Sequence, residues 1–142
     1  MDHVVYLDYK ADELNKLLDG LKKMIIRGAK GRKLPYGRVF EGDVLYFTQN
    51  NAEGLIVAKA KAKRVLNSEK MTDEESISLV NKNQMMLALT DTQYKKWAGK
   101  RYIVLIELEE VIPVEPFKID KSNFGNMDDW LPVIDINIVK LP

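Results

Sequence analysis

The chemistry this chain can offer is concentrated in its cations. Between positions 22 and 64 stand Lys22, Lys23, Arg27, Lys30, Arg32, Lys33, Arg38, Lys59, Lys61, Lys63 and Arg64, opposed in that stretch only by Glu41, Asp43 and Glu53. The whole chain carries a net charge of +1, so the rest of it is correspondingly acidic. Such asymmetry predicts a polarised surface, with an anion expected at the basic pole. The stretch from Gly28 to Arg38 holds three glycines and Pro35, which predicts a loop. Glycine lets backbone approach a ligand closely. Lys30, Arg32, Lys33 and Arg38 are the cations for phosphate oxygens, and Tyr36 is the ring to stack on a base, a contact worth about 1–3 kcal/mol. The loop lacks the G-x-x-x-x-G-K-[ST] spacing of a P-loop, so NTP hydrolysis is not expected. Lys59, Lys61 and Lys63 alternate with Ala58, Ala60 and Ala62, which puts the three lysines on one face of a strand. They either extend the basic surface or guard a sheet edge, and charge alone does not choose between these.

Groups suited to catalysis are few. The chain has no cysteine, which excludes disulfides and thiolate metal sites. His3 is the single histidine and has no visible partner in the sequence, so neither a metal role nor a catalytic one is expected of it. A histidine-pair ribonuclease mechanism is excluded within one chain. Glu74-Glu75 and Asp128-Asp129 lack the spacing of a metal site, and no cofactor is expected. Trp97 and Trp130 read as core or cleft-wall residues. Of the two, Trp130 is the better candidate to face a ligand, because it falls in an irregular segment where functional residues collect.

Hydrophobic patterning supplies the elements that position these residues. A strand is predicted over His3–Tyr9, then a helix capped by Asp12, with Leu14, Leu17, Leu18 and Leu21 at helical spacing and a stop at Gly20. Met24–Arg27 reads as a strand. Val44–Phe47 and the Ala/Lys stretch read as two more, joined through Asn50–Gly54. Capping boxes at Thr72–Glu75 and Thr90–Gln93 open two helices. The first buries Ile77, Val80 and Met85; the second presents Tyr94 and Trp97 and stops at Gly99. Tyr102–Ile106 is predicted as the central strand, with Glu107 and Glu109 exposed and Pro113 and Pro116 ending it. Residues 117–132 look irregular, and Val133–Val139 closes the sheet. This order predicts an α+β domain over residues 1–142 with a small, mostly antiparallel sheet or barrel. With 142 residues, 46% hydrophobic and 30% charged, the chain can support its own core. No apolar run approaches the roughly 20 residues of a membrane span, and the N-terminus lacks the features of a signal peptide. A cytoplasmic protein with no membrane partner is expected.

These residues resemble a known superfamily. Gly20-x-Lys22, with Arg27 five residues beyond the lysine, is similar to the ASCH signature of glycine, lysine, glutamate and arginine at three of its four places. Gly42-Asp43-Val44-Leu45-Tyr46-Phe47 looks like the Gly-Asp-plus-strand element of ASCH and wider PUA-like domains. Phe124-Gly125-x-Met127-x-x-Trp130 is similar to the C-terminal region of some EVE-type members. The resemblance implies a PUA-like small mixed β-barrel of about five or six strands, flanked by helices that frame a cleft. It also implies a role in binding RNA, a nucleotide or a modified base. Some small ASCH proteins are amidohydrolases of acetylated cytidine, and ribonuclease activity has been assigned to others. The signature glutamate, or the nucleophilic threonine of the amidohydrolases, falls at Ile25, which can neither attack a carbonyl nor move a proton.

The expectation is therefore a non-catalytic module holding phosphate through Lys22, Arg27, Lys30, Arg32, Lys33 and Arg38, extended by Lys59 and Lys61, with Tyr36 or Trp130 against a base. One alternative is a small hydrolase of an acylated nucleoside or RNA, with Lys22 as base and no identified nucleophile. Another is a protein-interaction domain whose basic face docks an acidic partner.

Overall fold

A computed structural model describes residues 1–124 and 129–142, so Gly125, Met127 and Asp128 lie outside the described residues. Among the described residues there are six strands and four helices. In chain order these are β1 (Asp2–Leu7), α1 (Glu13–Asp19), β2 (Met24–Ala29), β3 (Val44–Gln49), β4 (Leu55–Asn67), α2 (Asp73–Leu87), α3 (Asp91–Trp97), β5 (Tyr102–Lys118), β6 (Trp130–Ile134) and α4 (Ile136–Val139). The strands form one mixed sheet in the order β2-β5-β4-β3-β1-β6. Only β1 and β3 run parallel; the other four pairings are antiparallel. The sheet curls into a half-barrel, as an α+β PUA-like fold requires.

Alternation decides the inside of that curl. Ala58, Ala60 and Ala62 are at most 1% exposed and meet Val5, Leu45, Phe47, Ile25 and Ile106 in the main core. Small side chains on β4 leave room for the larger ones opposite. The sheet bends there because β4 and β5 slip register at three places, and each extra residue sharpens the local twist. One slip sets both Lys63 and Arg64 against Glu107, so Arg64 does not take the opposite face that regular alternation predicts. A second core lies on the outer face of β2 and β5, where Ile26, Ile103 and Leu105 pack beneath Val80 and Leu87 of α2 and Trp97 of α3. β2 and the first half of β5 are thus buried on both faces, which explains their unbroken apolar runs.

Both capping boxes form. Thr72 and Thr90 accept from the amides of Glu75 and Gln93, whose side chains reach back to the threonine amides. Elsewhere local signals yield to tertiary context. Asp12 does not cap α1: it adopts φ 56° and its side chain makes no capping bond; its carboxylate accepts instead from Asn15. The buried stripe of α2 runs through Ser76, Val80 and Leu87, leaving Ile77 on the exposed side and Met85 92% exposed. Pro113 and Pro116 do not end β5. Beyond Glu107 that strand has β4 as its one strand neighbour, and a proline is tolerated where only one side needs a ladder. Trp130 begins a regular strand, and Val133–Val139 is split between β6 and α4.

His3, Asp43 and Trp130 lock β1 to β3 and β6. The Trp130 indole donates to His3 Nδ1 at 3.0 Å, and His3 Nε2 lies 2.9 Å from the Asp43 carboxylate. Since Nδ1 must accept, the proton sits on Nε2 and the ring is neutral. Burial pushes the imidazole below its ordinary value, against the upward pull of Asp43. Burial alone would raise the Asp43 carboxyl, but hydrogen bonds from His3 and the Phe40 amide, with the N-terminal ammonium nearby, hold it below the usual range. His3 therefore does have a partner, and its part is architectural.

Candidate ligand cleft

Arg27 stands where the two edges of the sheet face each other. Its guanidinium donates to its neighbour's carbonyl, Ile26 O, at 2.8 Å and, across the gap, to Tyr6 O of β1 at 2.7 Å. Its Nε lies 3.2 Å from the carboxylate of Asp129, the residue before β6. No backbone ladder joins β2 to β1 or β6, so this side chain stitches the seam of the half-barrel. The planar cation lies between two indoles, 5.9 Å from the Trp97 ring centre and 5.6 Å from that of Trp130, within the range of cation–π attraction. Arg27 is 7% exposed.

A small cleft of about 50 Å³ opens above it, walled by Gly28, Lys33, Tyr36, Trp97, Tyr102 and Asp129. Tyr36 and Tyr102 meet edge to face at 5.7 Å, with the Arg32 guanidinium 5.6 and 5.7 Å from their centres. The Tyr36 hydroxyl donates to the Ser68 carbonyl, which fixes its ring. Gly28 is needed for the wall itself: a Cβ there would come within 3.0 Å of the Tyr102 carbonyl and 3.2 Å of Lys100 Cβ, prising β2 from β5.

The cleft sets unlike groups side by side. Arg27 has five N–H donors in a fixed fork; one points to each carbonyl, and the buried Nε, though 3.2 Å from the Asp129 carboxylate, makes no hydrogen bond, so three remain without a partner. Asp129, half exposed, offers acceptor oxygens next to them, and Lys33 is exposed at the mouth. Donor and acceptor thus stand side by side under an aromatic wall. The described lining contains no serine, threonine, cysteine or histidine. Among the described residues no group of three or more metal-ligating side chains occurs, and no helix is long and apolar enough to cross a membrane.

Of the ten residues singled out in the sequence, Arg27, Lys33 and Tyr36 line the cleft and Arg32 backs it. Lys30 lies in an adjoining groove. Lys22 is not at the cleft. Gly20, at φ 80°, caps α1 and turns the chain so that Lys22 enters the interior. There its ammonium donates to Leu87 O, the last residue of α2, and pairs with buried Glu13 at 3.3 Å. Burial lowers its pKa against the pull of Glu13. The lysine of the Gly-x-Lys motif is therefore a pin between α1 and α2, a cation placed at a helix C-terminus where the dipole favours it. Ile25 is 0% exposed, an apolar side chain of the main core. Lys61 pairs with Glu110 at 3.0 Å, and Lys59 sits on the same strand between Tyr46 and Ile112; neither reaches the cleft. Arg38 is exposed outside the lining. Trp130 is 1% exposed and spends its N–H on His3, leaving Trp97 as the indole that faces the cleft. Trp97, Tyr102 and Asp129 complete the site without any local spacing that marks them, since they come from separate elements joined by the fold.

No protein-family model matches the chain, and no curated protein matches it. Solved structures do. The ASCH protein of Zymomonas mobilis superposes with a TM-score of 0.65 at 14% identity, covering 91% of this chain and 85% of the other. A tyrosine-to-phenylalanine variant of that protein gives 0.66 at 14% identity, over 91% and 87%. The N-terminal domain of Staphylothermus marinus McrB gives 0.54 at 10% identity, over 93% and 87%. With the strand order and the seam described above, the chain has the fold of an ASCH domain, an α+β PUA-like half-barrel.

Proposed function

We propose that the chain is a non-catalytic module that binds RNA or a nucleotide in the cleft over Arg27. The observation that carries this reading is the meeting, in one concavity, of a guanidinium with uncommitted donors, the adjacent Asp129 carboxylate, and the Trp97 and Tyr36 rings. The base lies at the mouth of the cleft, beside Tyr36 and Tyr102, with its polar edge towards Arg27 and Asp129. Lys33 and Arg32 take phosphate charge at the mouth. The ASCH fold and the likeness to the McrB domain support the reading as analogies of fold.

The test is a titration of labelled single-stranded RNA of about 12 nucleotides at about 50 and about 200 mM salt. Affinity is expected to fall with salt, with a log–log slope of about −0.7 for each phosphate neutralised. Lys33→Gln is expected to weaken binding and make the slope shallower by about one such contact. Absent or salt-insensitive binding would overturn the proposal.

A further inference from the structure

A second basic surface lies beside the cleft, and most of it falls outside the basic stretch of the sequence. Lys95 and Lys96 end α3, Lys100 and Arg101 lead into β5, and Lys30 follows β2. These five cations line one open groove of about 550 Å³ whose single acid is Asp73. Among the described residues none of the five forms an ion pair, whereas Lys61, Lys63 and Arg64 of β4 are answered by Glu110 and Glu107. The groove, and not the β4 lysine row, carries the unanswered charge.

Helix capping does not account for the cluster. Lys95 and Lys96 can complement the dipole of α3, but that helix has only seven residues, and Lys30, Lys100 and Arg101 lie outside it. Bonds between segments hold the walls of the groove in place. The Gly99 amide donates to Ser76 Oγ of α2 at 3.1 Å, and the Met71 amide donates to Arg101 O at 2.9 Å. The backbone on either side of the groove is thus fixed before any ligand arrives, which lowers the ordering cost of binding.

The floor of the groove selects among polyanions. Its apolar side chains are aliphatic: Ile77, 39% exposed, and Ala98. The described lining holds no aromatic ring, and grooves that take single-stranded nucleic acid add rings on which bases stack. The Trp97 ring is not free for that use, since it is buried and Lys96 Nζ lies 4.7 Å from its centre. Asp73 is exposed at the start of α2. It repels a continuous run of phosphates but can accept a peptide N–H.

We infer that the groove docks an acidic peptide segment of a partner protein, with carboxylates at Lys30, Lys95, Lys96, Lys100 and Arg101 and one aliphatic side chain on Ile77 and Ala98. Complementary charge steers the segment in, and the aliphatic contact fixes its register. The groove and the cleft are separate concavities, so neither needs the other to be occupied.

The test uses the full chain at low salt and two synthetic peptides of mixed Asp and Glu that differ only in one central residue, leucine or serine. Single-stranded RNA is the third probe. The leucine peptide is expected to bind about threefold tighter than the serine peptide. Lys95→Glu/Arg101→Glu, at two exposed positions, should lose at least about tenfold in affinity for both peptides, with thermal unfolding as in the parent. Ile77→Ser should remove the preference for leucine and keep the affinity for the serine peptide; if the charge-reversed variant unfolds early, this comparison decides alone. Lys33→Gln, in the cleft, should bind peptide as the parent does, while its effect on RNA tests the cleft separately. No peptide binding by the parent, equal affinity for the two peptides, or unchanged affinity in the charge-reversed variant would overturn the proposal. RNA affinity that falls in that variant as far as peptide affinity does would give the groove to a polynucleotide instead. Salt-sensitive self-association of the parent that the same variant abolishes would give it to a second copy of the chain.

Discussion

Lys22→Met is expected to destabilise the fold by roughly 3–5 kcal/mol, because it strands a charged partner in the interior. Glu13 is 5% exposed. One of its carboxylate oxygens accepts from the Asp8 amide at 2.7 Å, and the other faces Lys22 at 3.3 Å. Removing the ammonium leaves that carboxylate without a counter-charge and takes the donor from the Leu87 carbonyl. Methionine fills most of the volume, so the loss is electrostatic and not a cavity effect. The double variant Lys22→Met/Glu13→Gln is expected to recover a large part of it, since glutamine still accepts from Asp8 and no charge is buried. Urea unfolding with a constant slope and shifted midpoints is the measurement. A near-neutral single variant would mean that Lys22 is not the pin between α1 and α2.

Arg27→Met is expected to cost about 2–4 kcal/mol, from two charge-assisted hydrogen bonds to carbonyls that are then left unmet. It is also expected to weaken RNA binding by tenfold or more, because the floor of the cleft is lost. Arg27→Lys should rescue neither. An ammonium is a point charge and cannot reach Ile26 O, Tyr6 O and Asp129 from one planar fork. Full stability in the lysine variant would show that a cation alone suffices at the seam, and that the fork geometry is irrelevant.

These two residues mark how far the sequence could be read. Periodicity and capping signals located β3, β4, α2 and α3, and the α+β half-barrel follows from their order, because such signals are local. Errors came where a distant neighbour decides. Asp12 had the right residue type for a cap, yet the chain enters α1 through the left-handed region. Met85 and Ile77 lay one position off the true buried face of α2, which is set by what β2 and β5 present to it. Pro113 and Pro116 read as breakers, but a strand with a single neighbour tolerates them. The Gly20-x-Lys22 motif pointed correctly to the fold and misled about the role of the lysine, which a buried glutamate from α1 claims. At the cleft, Arg27, Lys33 and Tyr36 were legible as charge and aromaticity next to glycines. Trp97, Tyr102 and Asp129 were not, since only closure of the seam brings α3, β5 and the start of β6 to the same place.

The most direct measurement of the cleft as the binding site is residue-by-residue mapping by NMR as single-stranded RNA is added to the labelled protein. The amides of Gly28, Gly31 and Lys33 and the indole N–H of Trp97 are expected to move together and saturate at one concentration. Those of Lys59 and Lys61 should stay in place. Movement confined to the β4 lysines, with the Trp97 indole unchanged, would contradict a cleft built over Arg27.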